Sequence, residues 1–181
     1  LGPAFARICQ QRNLAFVVLT RPQMDIAVQA SVERAMAQYQ PWAIVNASGY
    51  VNVDNAESDV ERCFRENTIG PSVLADICAR EDINLLTFSS DLVFNGEQRH
   101  PYVESDEISP LNVYGRSKAE SEQEVLGRYA NSLVVRTSAF FGPWDRYNFI
   151  TQGLKTLAEG RPFTSANDIT VSPTYVPDLV H

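Results

Sequence analysis

The sequence predicts an α/β protein built on a doubly wound parallel sheet, and three observations carry that expectation. Four short runs, at residues 14–19, 42–45, 83–88 and 132–136, are apolar almost throughout rather than at every second position, the pattern of strands buried on both faces. Segments with apolar residues at helical spacing lie between them, and such alternation supplies the crossovers that parallel strands require. The residues that follow the runs are small and polar, at the strand ends where open α/β sheets place their ligands.

Taken in order, residues 3–11 carry Phe5, Ile8 and Cys9 on one helical face. Leu14-Ala-Phe-Val-Val-Leu19 is the first expected strand. Residues 31–40 read as a helix that Ser31 can cap, with Glu33 in its first turn and Pro41 after its end. Trp42-Ala-Ile-Val45 is the second strand. Residues 59–81 are helical in pattern, although Gly70-Pro71 should kink or split them. Ile83-Asn-Leu-Leu-Thr-Phe88 is the third strand, and a long polar stretch follows to residue 112. Residues 114–129 are rich in helix formers, Ser132-Leu-Val-Val-Arg136 is the fourth strand, and residues 148–159 form another helix. Beyond residue 160 the pattern loosens around Pro162, Pro173 and Pro177. The expected organisation is therefore a nucleotide-binding region over 1–160 and the start of a second region over 161–181.

Composition narrows the function. With 15 basic and 22 acidic side chains the 181-residue chain carries a net charge of −7, which disfavours nucleic acid and anionic membrane surfaces as partners. At 44% hydrophobic it can bury a core, so a disordered chain is excluded. No apolar run approaches the roughly 20 residues of a membrane span. Cys9, Cys63 and Cys78 include no C-x-x-C pair, and the histidines are His100 and His181 alone. No disulfide scaffold and no metal site is expected, and a reduced cytoplasmic protein is the default. The acidic group Glu104, Asp106 and Glu107 reads as a solvated loop, and Phe140, Phe141 and Trp144 with Gly142 and Pro143 as loop packing.

The strand ends supply candidate chemistry: Thr20 and Arg21; Asn46 and Ser48; Ser89, Ser90 and Asp91; Thr137 and Ser138. The sharpest feature is Tyr114-Gly-Arg-Ser-Lys118. Tyr and Lys four residues apart on a helix project from one face. An ammonium beside a phenol favours the phenolate, lowering the Tyr pKa and preparing it for proton transfer. Chance pairing on a solvated helix is the competing explanation. A hydroxyl partner for a substrate carbonyl is supplied by Ser90 or its rival Ser89, which position alone does not separate.

These residues resemble the extended short-chain dehydrogenase/reductase superfamily, and within it the dTDP-4-dehydrorhamnose reductases most closely. The resemblance rests on Ser89-Ser-Asp-Leu-Val-Phe-Asn-Gly96 and Ser109-Pro-Leu-Asn-Val-Tyr-Gly-Arg-Ser-Lys118. Val45-Asn-Ala-Ser-Gly-Tyr50, Val53-Asp-Asn-Ala-Glu57, Glu66-Asn-Thr68, Arg136-Thr-Ser138 and Ser172-Pro-Thr-Tyr-Val-Pro-Asp178 extend it over nearly the whole chain. It implies a Rossmann-like domain that binds NADP(H), with NAD(H) as the alternative, and a nucleotide-sugar substrate; it leaves a homodimer open. It further implies that Tyr114 protonates the C4 oxygen, Lys118 holds the nicotinamide ribose and Ser90 binds the carbonyl. Ala47, Ser48 and Gly49 match the loop that lines the cofactor, with Ser89 beside it. Asp25 matches the adenine side, and Arg21 the position that chooses between the two cofactors by pairing with a 2′-phosphate. Val53, Asn67, Asp91, Asn112 and Asn148 match substrate-side positions.

Two departures qualify the resemblance. No G-x-G-x-x-G occurs among the nine glycines, and Leu1-Gly2 matches only the last piece of that motif, so Gly2 is the one cofactor residue it leaves. The sequence is accordingly expected to be a piece of a longer protein, truncated in its first strand and in its substrate region, and to bind cofactor poorly by itself. Related epimerases and dehydratases are alternatives, but Asp91 is followed by Leu92 where dehydratases place a Glu. A non-catalytic nucleotide-binding role is the third reading, as in the beta subunit of methionine adenosyltransferase.

Overall fold

A computed structural model of the chain describes residues 1–143 and 148–181. They divide into two compact units, one of Leu1–Val17 with Thr137–His181 and one of Val18–Arg136. The functional boundary expected near residue 160 lies inside the first of these.

The unit of Val18–Arg136 holds a parallel sheet. β1 (Ala43–Asn46) pairs with β2 (Asn84–Ser90) in the register Ala43↔Asn84 to Asn46↔Thr87, and β3 (Leu133–Thr137) lies on the other side of β2. The helices supply the core. Val32 of α2 (Gln29–Tyr39), Leu74, Ala75, Ile77 and Cys78 of α5 (Gly70–Glu81) and Val125 of α6 (Val113–Arg128) cluster with Ile83 and Leu85 around the sheet. A second cluster joins Tyr50, Ala56, Cys63 and Val113. Ala56 and Cys63 of that cluster come from the short α3 (Val53–Ala56) and α4 (Val60–Phe64).

Residues 59–81 do not break at Gly70-Pro71. They stay helical through a π-turn over Arg65–Ile69, whose closing bond runs from the Gly70 N–H to the Arg65 carbonyl. Pro71 has no N–H to offer the carbonyl four residues earlier, so the helix widens there instead of ending. Ser31 does not cap α2; that place falls to Val28, and the Ser31 hydroxyl instead accepts the Asp25 N–H at 3.1 Å.

The largest correction concerns residues 14–19. They form no strand, and Leu14, Phe16, Val17 and Val18 stand about half exposed. A strand needs a hydrogen-bonded neighbour, and among the described residues no strand pairs with this one.

The other unit contains α1 (Gly2–Gln11), a two-stranded parallel pair of β4 (Phe140–Phe141) and β5 (Thr174–Tyr175), α7 (Phe149–Ala158) and the short α8 (Val176–Leu179). Arg12 ties its ends by donating to the His181 carbonyl at 2.9 Å. Phe141 packs on Tyr175 with ring centroids 5.2 Å apart, so Phe141 serves packing within this unit. Trp144 lies outside the described residues. In the acidic loop, Asp106 accepts the Val103 N–H at 2.8 Å.

Candidate active site

The site forms where α6 starts against the end of β2. Two acceptors fix that start: Asn112 Oδ1 takes the Gly115 N–H and Glu57 Oε1 the Val113 N–H, both at 2.7 Å. Orphan donors at a helix N-terminus are thereby satisfied. Gly115 permits the close approach of α6 to the 3₁₀ turn Asp91–Val93. A Cβ there would lie 2.2 Å from the Leu92 carbonyl oxygen, a backbone clash no rotamer relieves. Gly115→Ala is therefore expected to push α6 off this turn, lowering stability by about 1–3 kcal/mol. A wild-type denaturation midpoint in that variant would contradict the packing described.

Tyr114 and Lys118 then share one face, as their spacing predicts, with Lys118 Nζ 5.8 Å from the centre of the Tyr114 ring. Lys118 is buried, and its Nζ donates to the Phe88 carbonyl at 3.1 Å. Burial pushes this lysine down to about 8, with Cys63 and Glu122 acting against the fall. The phenol behaves differently from the sequence expectation. Burial pushes Tyr114 up to about 12, the charges of Cys63 and Asp91 add to the rise, and hydrogen bonding with Ser90 opposes it. Desolvation dominates at the phenol, whose ring centre lies 5.8 Å from the ammonium.

Ser90 and Ser89 are both buried at the end of β2, yet Ser90 is the one that bears on the phenol. Its hydroxyl donates to Asp91 Oδ1 at 3.0 Å and accepts the Leu92 N–H at 3.2 Å. The loop after β1 also closes on this point. Asn46 bridges to Thr87 at 3.1 Å and takes the Ser48 hydroxyl at 2.6 Å, shaping Asn46 to Ser48. Gly49 has φ +153°, and a Cβ on it would meet Asn67 Oδ1 at 2.8 Å and Lys118 Nζ at 3.7 Å. Tyr114, Lys118, Ser90, Asp91 and the Ala47-Ser48-Gly49 loop are thus brought together.

Other expected residues have different surroundings. Asn67 is fully buried; its Oδ1 accepts the Tyr50 N–H at 2.8 Å and its Nδ2 faces Ser117 and Cys63. Its polar atoms are thus engaged within the protein. Arg21 and Asp25 belong to a charged cluster. Arg21 pairs with the buried Glu66 at 2.7 Å, as does Arg62, and Arg65 pairs with Asp25 at 2.7 Å. Arg65 holds the Asp25 carboxyl below its ordinary range. Val53 opens α3, half-buried. Gly2 opens α1 and Asn148 caps α7, both in the other unit, where Asn148 Oδ1 accepts the Thr151 N–H at 2.9 Å.

Sequence reading missed Glu57, Cys63, Ser117 and Gly115. Glu57 reaches its partner across 56 residues of chain, a pairing without local signal. Gly115 did carry one, because a glycine inside a helical pattern marks close approach.

Parallel sheet, crossover helices and a Tyr/Lys pair at a strand end, its lysine buried and its tyrosine half-buried, define a Rossmann-like fold of the extended short-chain dehydrogenase/reductase class. The model of one family, the RmlD substrate binding domain, matches residues 1–181. The chain belongs to that family. It is 36% identical over 181 residues to a dTDP-4-dehydrorhamnose reductase of Mycolicibacterium smegmatis, covering 99% of this chain and 55% of the relative. Among solved structures it is similar to the dTDP-4-dehydrorhamnose reductase of Clostridium acetobutylicum, with TM-score 0.91, 25% identity, and 99% and 63% of the two chains covered. The enzyme of that name from Bacillus anthracis, solved in complex with NADP, gives TM-score 0.87 at 27% identity over 99% and 64%. The chain therefore spans between about half and two thirds of the length of these relatives.

Proposed function

We propose that the protein carrying this chain is an NAD(P)H-dependent reductase of a nucleotide-linked 4-keto sugar. The observation that carries this reading is the pair of half-buried Tyr114 and buried Lys118 set against Ser90 at the end of β2. The donor set suits the nicotinamide end of a dinucleotide. Among the described residues, Lys118 Nζ has the Phe88 carbonyl as its hydrogen-bond partner, leaving ammonium protons to offer ribose hydroxyls. When bound, the reduced nicotinamide supplies a hydride to the sugar C4. Ser90, its hydroxyl turned from Asp91 Oδ1 to the substrate, holds the carbonyl oxygen by a hydrogen bond, and Tyr114 gives that oxygen its phenolic proton as negative charge develops there. With its pKa pushed up to about 12 the phenol is fully protonated at neutral pH, which fits a proton donor. Lys118, pushed down to about 8, stays mostly charged there and steadies the phenolate left behind.

Gly2, Asp25, Ala47, Ser48, Gly49 and Ser89 are proposed as the remaining cofactor-side residues, and Val53, Asp91, Asn112 and Asn148 as the substrate side. Asn67 acts by holding these elements in place. A cytoplasmic enzyme fits the described residues, in which no helix is long and apolar enough to cross a membrane. The test is to incubate full-length protein with NADPH and a dTDP-4-keto-6-deoxy sugar. Loss of the reduced-nicotinamide absorbance in step with formation of a 4-hydroxy sugar supports the reading. Cofactor binding without turnover on any such sugar favours the non-catalytic role.

Arg21 carries the proposed preference for NADPH. Glu66 engages one terminal nitrogen of its guanidinium, so further donors of the five remain for a 2′-phosphate. Losing a charge-assisted contact of about 1.5–3 kcal/mol, Arg21→Ala is expected to bind NADPH about ten- to hundredfold more weakly, with NADH little changed. Equal losses for both cofactors, or none, would contradict it.

A further inference from the structure

We infer that Ser117 is a positioning residue for Tyr114 and Lys118, gripped from the opposite helix by Asn67 and Cys63; this rests on the reading of that pair given above. Ser117 is fully buried. Its hydroxyl donates to the Tyr114 carbonyl at 2.7 Å and accepts from Asn67 Nδ2 at 3.0 Å and from Cys63 Sγ at 3.3 Å. The Tyr114 carbonyl is also the acceptor that the helical ladder assigns to the Lys118 N–H. One hydroxyl therefore grips the peptide turn that sets Tyr114 and Lys118 relative to each other.

The grip is reinforced from outside α6. The Ser117 carbonyl accepts the Thr68 hydroxyl at 2.8 Å, and Asn67 Oδ1 holds the Tyr50 N–H at 2.8 Å. Consecutive residues Asn67 and Thr68 both reach Ser117 because they lie in the π-turn. Its wider turn swings neighbouring side chains less far apart than an α-turn does, and such turns recur at functional sites. A single buried node thus connects the loop after β1, through Asn67, to the turn of α6 that bears the reacting groups. Alanine would fill the same space, and serine at mid-helix weakens a helix by bonding back to its carbonyls. Packing alone gives no reason for a hydroxyl with three partners here.

The test follows the side-chain nitrogen of Lys118 in full-length protein labelled with ¹⁵N-lysine, its resonance assigned by loss in Lys118→Met. The titratable groups facing it are Tyr114 and Glu122 on α6 and Cys63 on α4. Ser117→Ala is expected to raise the titration midpoint from near 8 by about one pH unit, as the loosened turn admits water. It should also lower kcat about ten- to hundredfold with the cofactor KM within about threefold. Ser117→Thr keeps the hydroxyl and should recover most of both. Because threonine adds a methyl at a buried site, Asn67→Ala provides a second route: it should shift the midpoint in the same direction, with the double variant no larger than either alone. A Ser117→Ala protein that melts earlier but keeps the wild-type midpoint and kcat overturns the inference. If the protein reduces no keto sugar, the kcat arm falls with the proposed function, while the midpoint still decides whether Ser117 positions Lys118.

Discussion

Tyr114→Phe in the full-length protein is expected to lower turnover by about 10²–10⁴-fold while leaving the cofactor dissociation constant within about twofold. The tyrosine ring packs against the cluster of Tyr50, Ala56, Cys63 and Val113, and phenylalanine keeps that packing while deleting only the phenolic proton. Among the described residues, Ser90 has an alcohol's weak acidity, and the Lys118 ammonium is assigned in this reading to the ribose and the Phe88 carbonyl rather than to the sugar oxygen. Steady-state kinetics with a fluorescence titration of NADPH separate the two quantities. Wild-type turnover in Tyr114→Phe would remove Tyr114 from the mechanism, and a matching loss of cofactor affinity would make it a binding residue.

Lys118→Met is expected to abolish measurable reduction and, at neutral pH, to stabilise the fold. Burial depresses the lysine from 10.5 to about 8, so the folded state disfavours its charged form. Below pH 8 both folded and unfolded lysine carry the proton and the penalty is complete, about 3 kcal/mol at 1.36 kcal/mol per pH unit. Between 8 and 10.5 the unfolded chain holds more protons than the folded one. Wild-type stability therefore rises with pH across that window, and above it the penalty is gone. Losing the bond to the Phe88 carbonyl subtracts about 1 kcal/mol. The variant should accordingly be about 2 kcal/mol more stable than wild type at pH 7; the advantage should vanish near pH 10 and become a deficit of about 1 kcal/mol above 10.5. Chemical denaturation across this range checks it; a variant less stable than wild type at pH 7 would mean that Lys118 is not held against its charge.

The features legible in the sequence were those with local causes. Continuous apolar runs located β1, β2 and β3, and the four-residue spacing placed Tyr114 and Lys118 on one face, because both follow from the periods of strand and helix. Residues 14–19 had the composition of a strand but no partner among the described residues to complete one, since a strand is a property of two segments. The π-turn was hidden because Gly70-Pro71 signals a break without saying that the helix can widen across it. The Tyr114 pKa was misjudged because spacing reports the neighbouring charge and is silent on burial, and here burial is the larger effect. Glu57 and the Asn67–Ser117–Cys63 node are assembled from distant segments, which a single sequence does not reveal.

The proposed reaction delivers hydride to C4 of a nucleotide-linked sugar with Tyr114 as the acid. The most direct measurement supplies full-length protein with a dTDP-4-keto-6-deoxy sugar and NADPH deuterated at the transferred position, and reads the product by NMR. One carbon-bound deuterium is expected at C4 of a 4-hydroxy product, formed in step with cofactor oxidation and lost in Tyr114→Phe. Deuterium absent from C4, or sugar conversion without net cofactor oxidation as an epimerase would show, would contradict it.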